Sequence, residues 1–116
     1  MGNLALATRP AMANTAVSVV ALEGTLDFNT VGDFEQLLQD SFRKNQYKLI
    51  LDMSKLTYIS SAGIGVLVGV IKDVRKNKGD IKFANVNPEV YKVFDLLDLP
   101  GIFHFLKTEG EAASEF

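Results

Sequence analysis

Residues 48–71 read KLILDMSKLTYISSAGIGVLVGVI. The run opens with KLILDM (48–53), a short and nearly continuous apolar segment of the kind that forms a strand buried on both faces. It ends in an apolar helix predicted from about Ser61 to Asn77, which Gly79 terminates. Between them, SKLTYIS (54–60) predicts a loop. From Leu56 to Ile71, sixteen consecutive residues carry no charge. That run is rich in Ser and Gly and shorter than the roughly 20 apolar residues of a membrane-spanning helix, so it needs another explanation.

Upstream, Leu4 to Thr8 alternates weakly, as a first strand, and Pro10 to Asn14 reads as a turn. Val17 to Leu22 is a second buried strand that Gly24 stops, so an opening strand pair occupies about 3–22. Thr30 and Asp33 have the spacing of a capping box. Val31, Phe34, Leu38 and Phe42 follow at helical intervals, and Arg43 and Lys44 complement the dipole of the last turn, predicting a helix over 30–45. Downstream, Ile81 to Val86 is a further apolar strand. Asn87-Pro88-Glu89 starts a helix with a cap residue, a proline in the first turn and an acid. Val90, Phe94 and Leu97 line that helix, and Pro100-Gly101 ends it. Ile102 to Phe105 predicts a short strand, and Thr108 with Glu111 caps a terminal helix near 108–115. Strands alternating with helices imply parallel pairing through right-handed crossovers. The fold class is α/β: a mixed, mostly parallel central β-sheet with helices packed against it, in one domain over 1–116.

Composition removes most chemistries. The 116 residues include 12 basic and 14 acidic side chains, one His and no Cys. No thiolate zinc site, disulfide framework or Cys nucleophile is available, and a lone His builds no multi-His metal site. The slightly acidic balance opposes phosphate-backbone binding, so no direct nucleic-acid partner is expected. The N-terminus has no signal-peptide pattern, and Leu6 stands where a myristoylation motif wants Ser or Thr. A cytoplasmic location and no membrane association are expected. As a nucleophile, Ser61 lacks a Gly-x-Ser-x-Gly elbow, and His104 is the only candidate base. Gly63-Ile64-Gly65 with Gly69 has the wrong spacing for a dinucleotide fingerprint. No enzyme activity, cofactor or metal is expected.

Advancing the central helix by about 100° per residue groups Gly63, Leu67, Val70 and Val74, flanked by Ile64, Val66 and Ile71, as a core stripe. Lys72 and Lys76 mark the solvent side. Traced back toward the helix start, that side carries Gly65, Val68 and Gly69, then Ser61. Two readings stand: the glycines admit another part of this chain, or they form a smooth docking face with a hydroxyl at its edge. Ser60 and Ser61 are natural N-cap residues. A phosphate on Ser61 would add about −1.5 to −2 charges beside free helix N–H groups.

LILDMSKLTYISSAGIGVL resembles the signature of STAS domains, in particular the bacterial anti-sigma factor antagonists. Asp52, Ser54, Ser61, Gly63 and Gly65 match its pattern, and Gly24-Thr25-Leu26-Asp27 resembles the family's Gly-x-Leu/Ile-Asp element, with Thr30 at its usual polar position. The likeness runs from about Val17 to Phe105. It implies a non-catalytic phospho-switch that regulates transcription. The unphosphorylated antagonist binds an ATP-dependent serine kinase that is also the anti-sigma factor. Phosphorylation releases the antagonist, and a serine phosphatase resets it. The acceptor implied is Ser61. Many members have Asp where this chain has Ser60, which leaves Ser60 as the alternative acceptor. The implied partner surface is Asp27, Thr30, Ser60, Ser61, Gly65, Val68 and Gly69, on a monomer or weak dimer. A non-switching STAS subunit of a transporter or larger signalling complex is the other reading.

Overall fold

Strands and helices alternate as that reading requires. The computed structural model describes residues 3–116. In chain order these form β1 (Leu4–Pro10), β2 (Ser18–Leu26), α1 (Val31–Arg43), β3 (Lys48–Ile59), α2 (Ser61–Lys76), β4 (Asp80–Ala84) and α3 (Pro88–Leu96). A 3-10 turn (Leu99–Gly101), β5 (His104–Leu106) and α4 (Glu109–Ser114) complete the chain. The sheet order is β1-β2-β3-β4-β5, with β1 antiparallel to β2 and every other pair parallel.

Strand alternation sorts the side chains into two cores. Val20, Leu22, Leu49, Leu51, Met53, Ile81 and Phe83 point to one face, where Phe34 and Leu38 of α1, Leu67 of α2 and Phe94 of α3 cover them. The opposite residues of the same strands, Val19, Ile50 and Ala84, pack with Ala11 and Val17 beneath Ala112 and Ala113 of α4. Three helices therefore lie on one face and the short α4 on the other. Phe83 is ringed by Phe94, Phe103 and Phe105, with centroids 4.8–5.3 Å away.

Three expectations are corrected. Residues 54–60 are not a loop: β3 continues to Ile59, and its pairing with β2 extends from Ser18–Leu49 to Leu26–Ile59. Two register shifts, at Ala21/Glu23 and Gly24/Thr25, keep the ladder intact while Leu56 and Ile59 turn into the core. Nor does Gly24 stop β2. It sits at one of these irregularities with φ +111°, where a Cβ would lie 2.1 Å from the Asn3 carbonyl oxygen; a glycine inside a strand commonly marks such a bulge. Finally, Thr30 precedes α1 but its side chain makes no capping hydrogen bond, because its hydroxyl is used elsewhere.

Asn87 caps α3 as expected, accepting from the Val90 N–H at 2.9 Å, and it also donates to the Leu56 carbonyl at 2.6 Å. Thr108 caps α4 by accepting from the Glu111 N–H at 3.1 Å.

Candidate functional site

The ends of β2 and β3 meet where the uncharged run turns into helix. The Ser60 N–H donates to the Leu26 carbonyl at 2.9 Å, which joins the β3–α2 junction to the β2–α1 junction. Gly63 then lets α2 sit directly on both strand ends: a Cβ there would lie 2.8 Å from Leu26 Cγ and 3.1 Å from Ile59 Cγ1. The position of the helix start is thus set by close packing rather than by a flexible turn.

Asp27 and Thr30 lock the adjoining loop against each other. Asp27 Oδ1 accepts from the N–H groups of Asn29 and Thr30, at 2.9 and 3.1 Å. Thr30 Oγ1 accepts from the Asp27 N–H and donates to the Thr25 carbonyl, both at 2.9 Å. Thr30 is only 8% exposed, so it shapes the loop from beneath and offers no surface to a partner. Asp27 is half-buried at the rim.

The two serines have different employment. Ser60 has extended backbone dihedrals, φ −99° and ψ 173°, and its half-buried hydroxyl caps α2 by accepting from the Ala62 N–H at 3.2 Å. Ser61 is the first residue of α2 and is exposed. Its hydroxyl has no hydrogen-bond partner among the described residues.

Beyond Ser61, the outer face of α2 is bare. A Cβ on Gly65 or Gly69 would meet nothing within 4 Å, so no other part of the described chain approaches them. That settles the two readings of these glycines: they do not make room for this chain's own packing. Val68 between them is 44% exposed. On the inner face the buried set is Gly63, Ile64, Leu67, Ile71 and Val74, with Val66 and Val70 only partly buried against the core.

Two exposed aromatics near the ends of β2 and β3 have no counterpart among the expected site residues. Phe28 is 84% exposed at the tip of the Asp27–Thr30 loop, and Tyr58, opposite Thr25 in the ladder, is 53% exposed. Phe28 is a single aromatic among the turn formers Asp27 and Asn29, with no periodicity to mark it. Tyr58 lies in the stretch 54–60 that the sequence predicts as a loop, and the register shifts of β3 hide its strand pattern.

His104 is not brought to this site. It lies on β5 opposite Lys82, two strands from β3. Asp52 and Ser54 make their own local bond, the Ser54 N–H donating to Asp52 Oδ1 at 3.0 Å. No group of three or more His, Asp or Glu side chains able to hold a metal occurs among the described residues. The site is therefore a primary hydroxyl on a fixed helix start, within neutral surface, with Asp27 as the nearby formal charge.

A model of the STAS domain matches residues 9–112. An anti-sigma F factor antagonist of Paenibacillus polymyxa is 29% identical over 91 residues, covering 78% of this chain and 75% of the relative. Among solved structures, an anti-sigma factor antagonist from Mycobacterium paratuberculosis superposes with a TM-score of 0.85 at 20% identity, over 97% of this chain and 93% of that one. An anti-sigma factor antagonist, SpoIIAA in its unphosphorylated form, matches with a TM-score of 0.73, at 23% identity and over 99% and 95% of the two chains. The Bacillus cell fate determinant SpoIIAA in the phosphorylated form matches with a TM-score of 0.71, at 21% identity and over 96% and 98%. No helix among the described residues is long and apolar enough to cross a membrane.

Proposed function

The chain belongs to the STAS domain family, and on that footing we propose that it is an anti-sigma factor antagonist working as a phospho-switch. Unphosphorylated, it binds an ATP-dependent serine kinase that also holds a sigma factor. Transfer of a phosphoryl group to Ser61 releases it, and a serine phosphatase restores it. The γ-phosphoryl of ATP passes to Ser61 Oγ, ADP leaves, and a base of the kinase takes the hydroxyl proton. This chain acts in the cytoplasm as a monomer or weak dimer and performs no catalysis of its own.

One observation carries the choice of acceptor: Ser61 is exposed and unpartnered, whereas Ser60 Oγ is engaged as the cap of α2. The docking surface runs from Asp27 across Ser60 and Ser61 to Gly65, Val68 and Gly69. The release step follows from charge. A phosphoserine brings about −1.5 to −2 charges to a stretch without a cation, next to the Asp27 carboxylate. Covering that dianion with a partner leaves it desolvated and unpaired, which is strongly unfavourable.

Incubation with ATP and the candidate kinase, with the phosphate located by mass spectrometry, tests the assignment. Phosphate on Ser61 of the wild type and of Ser60→Ala, and none on Ser61→Ala, is the expected pattern. Ser60→Ala loses about 1 kcal/mol of stability with the lost cap, whereas Ser61→Ala stays near wild type. Ser60, in place of the aspartate many relatives carry, favours a second reading: a non-switching STAS subunit of a transporter or larger complex. A chain left unmodified by a kinase that turns over a control substrate supports that reading instead.

A further inference from the structure

We propose that residues 109–116, α4 and the two residues after it, form a strap that opens as a unit while the rest of the fold stays closed. The buried ammonium of Lys82 beneath the strap is what favours opening. The proposal is independent of the reading of Ser61 and concerns the other face of the sheet.

The strap is held by little apolar contact. α4 has six residues and buries only Ala112 and Ala113, which pack on Val19, Ile50 and Ala84, with the Phe116 ring partly buried at their side. By contrast, the helices of the opposite face bury Phe34, Leu38, Leu67 and Phe94. An alanine has one methyl to remove from water, so the strap gains far less from burial than those helices do. Its remaining ties are ionic and lie at its two ends. At the start, Arg9 Nη1 of β1 donates to Glu109 Oε2 at 3.0 Å, with the arginine half-exposed. At the end, Glu115 Oε1 lies 3.9 Å from Lys82 Nζ and 3.5 Å from His104 Nδ1. Ion pairs open to water contribute little. α4 pairs with no strand, so its release leaves the sheet order unchanged.

Lys82 supplies the opposing force. Its place on β4 is between Ile50 of β3 and His104 of β5. The Phe116 ring covers the ammonium, with its centroid 5.1 Å from Nζ, and the residue is 4% exposed. An ammonium has three N–H donors. Asp80 Oδ2 at 3.1 Å and His104 Nδ1 at 3.4 Å are in reach, and Glu115 at 3.9 Å is beyond hydrogen-bond distance. One N–H is therefore left without a partner among the described residues. Keeping a cation from water is unfavourable when its bonds are incomplete. Lifting residues 109–116 returns water to that donor, while Asp80 and His104 belong to the sheet and stay beside Lys82. Opening thus loses two alanine contacts and one ring contact, and regains hydration of a charge. Segments with few buried apolar contacts open independently of the core in this way. The open form bares Val19, Ile50 and Ala84 and leaves the larger core covered.

Native-state amide exchange of the full chain, in wild type, Lys82→Met and Arg9→Ala, tests this. The reporters are the Ala112 amide, which donates to the Thr108 carbonyl at 3.1 Å, and the Glu115 amide, which donates to the Ala112 carbonyl at 3.2 Å. The reference is the set of Leu49, Ile50 and Leu51 amides at the centre of the sheet. In wild type the strap amides are expected to exchange at least about a hundredfold faster than the reference. Lys82→Met fills the same space without a charge and leaves Asp80 bonded to Arg75 and the Ile81 N–H. It is expected to slow the strap amides at least about tenfold relative to the reference, since an apolar residue in place of a buried ion often stabilises the closed form. Arg9→Ala is expected to speed both strap amides together, by about two- to fivefold, and to leave the reference unchanged. Strap amides as slow as the reference in wild type overturn the strap as a separate unit. An unchanged or larger ratio in Lys82→Met, or failure of that variant to fold, overturns the role given to the buried cation. An Arg9→Ala chain that alters neither strap amide, or only one, shows that the segment does not open as a unit and also overturns the proposal.

Discussion

Gly63, Gly65 and Gly69 lie within seven residues on one helix, and their surroundings separate them. A Cβ on Gly63 would clash with the Leu26 side chain at 2.8 Å and press on Ile59 at 3.1 Å, whereas Gly65 and Gly69 face open space. Gly63→Ala is therefore expected to destabilise by about 1–3 kcal/mol, the usual cost of overpacking a tight contact. Gly65→Ala and Gly69→Ala remove the backbone-entropy penalty of glycine and are expected to stabilise by up to about 1 kcal/mol each, while weakening kinase binding. Urea unfolding of the three variants, paired with kinase titrations, checks both halves. At this scale the helical phase placed Gly65 and Gly69 on the outer side of α2 but could not choose between an internal contact and an open one. Helical phase gives direction, not distance. Thr30 shows the same limit from the other side: its spacing from Asp33 fits a capping box, yet its hydroxyl spans Asp27 and Thr25, and nothing in the spacing reveals that competition.

Among the elements, β3 is the one the sequence described least well. KLILDM announces itself because it is apolar on both faces. The second half, with Ser54, Lys55, Thr57 and Tyr58 outward and only Leu56 and Ile59 buried, breaks strict alternation because the ladder to β2 shifts register twice. A period-two pattern cannot be recognised across a bulge. This half pairs with β2 on one side only, since β4 pairs no further than Asp52–Ala84. Its other side is held by α3, where Asn87 Nδ2 donates to the Leu56 carbonyl while Asn87 Oδ1 caps the helix. Asn87→Ala therefore loses a cap and a strand contact together, an expected cost of about 2 kcal/mol. Thr108→Ala loses only the cap of α4, about 1 kcal/mol. Chemical denaturation of the two variants should reproduce that order.

Across the whole molecule, the sheet divides its work. One face carries the large core under α1, α2 and α3 and sets the Ser61 junction, while the other is closed by α4 over a smaller core. Lys82, 4% exposed, points to that second face. Its ammonium lies 3.1 Å from Asp80 Oδ2 and 3.9 Å from Glu115 Oε1, with the Phe116 ring centroid 5.1 Å away. Burial alone pushes the Asp80 carboxyl up, but bonds from Lys82, Arg75 and the Ile81 N–H outweigh it and hold the group below the usual carboxylate range. A carboxyl with a lower pKa folded than unfolded stabilises fully above the unfolded value, about 3.9, and that contribution disappears as pH falls through the folded value. The melting temperature is expected to fall as pH drops below about 4. Asp80→Asn should flatten that acid limb and cost on the order of 3 kcal/mol at neutral pH, because Lys82 stays buried with its nearest countercharge gone. Such a change on the α4 face should leave kinase affinity unaltered, since the proposed switch is at the junction of β2, β3 and α2. The central claim is that a single phosphate on Ser61 decides whether this chain is bound. Isothermal titration of the kinase with unphosphorylated chain and with chain fully phosphorylated on Ser61 tests it most directly. The phosphorylated form is predicted to bind at least about tenfold more weakly, a difference of about 1.4 kcal/mol or more, and equal affinity of the two forms would contradict it.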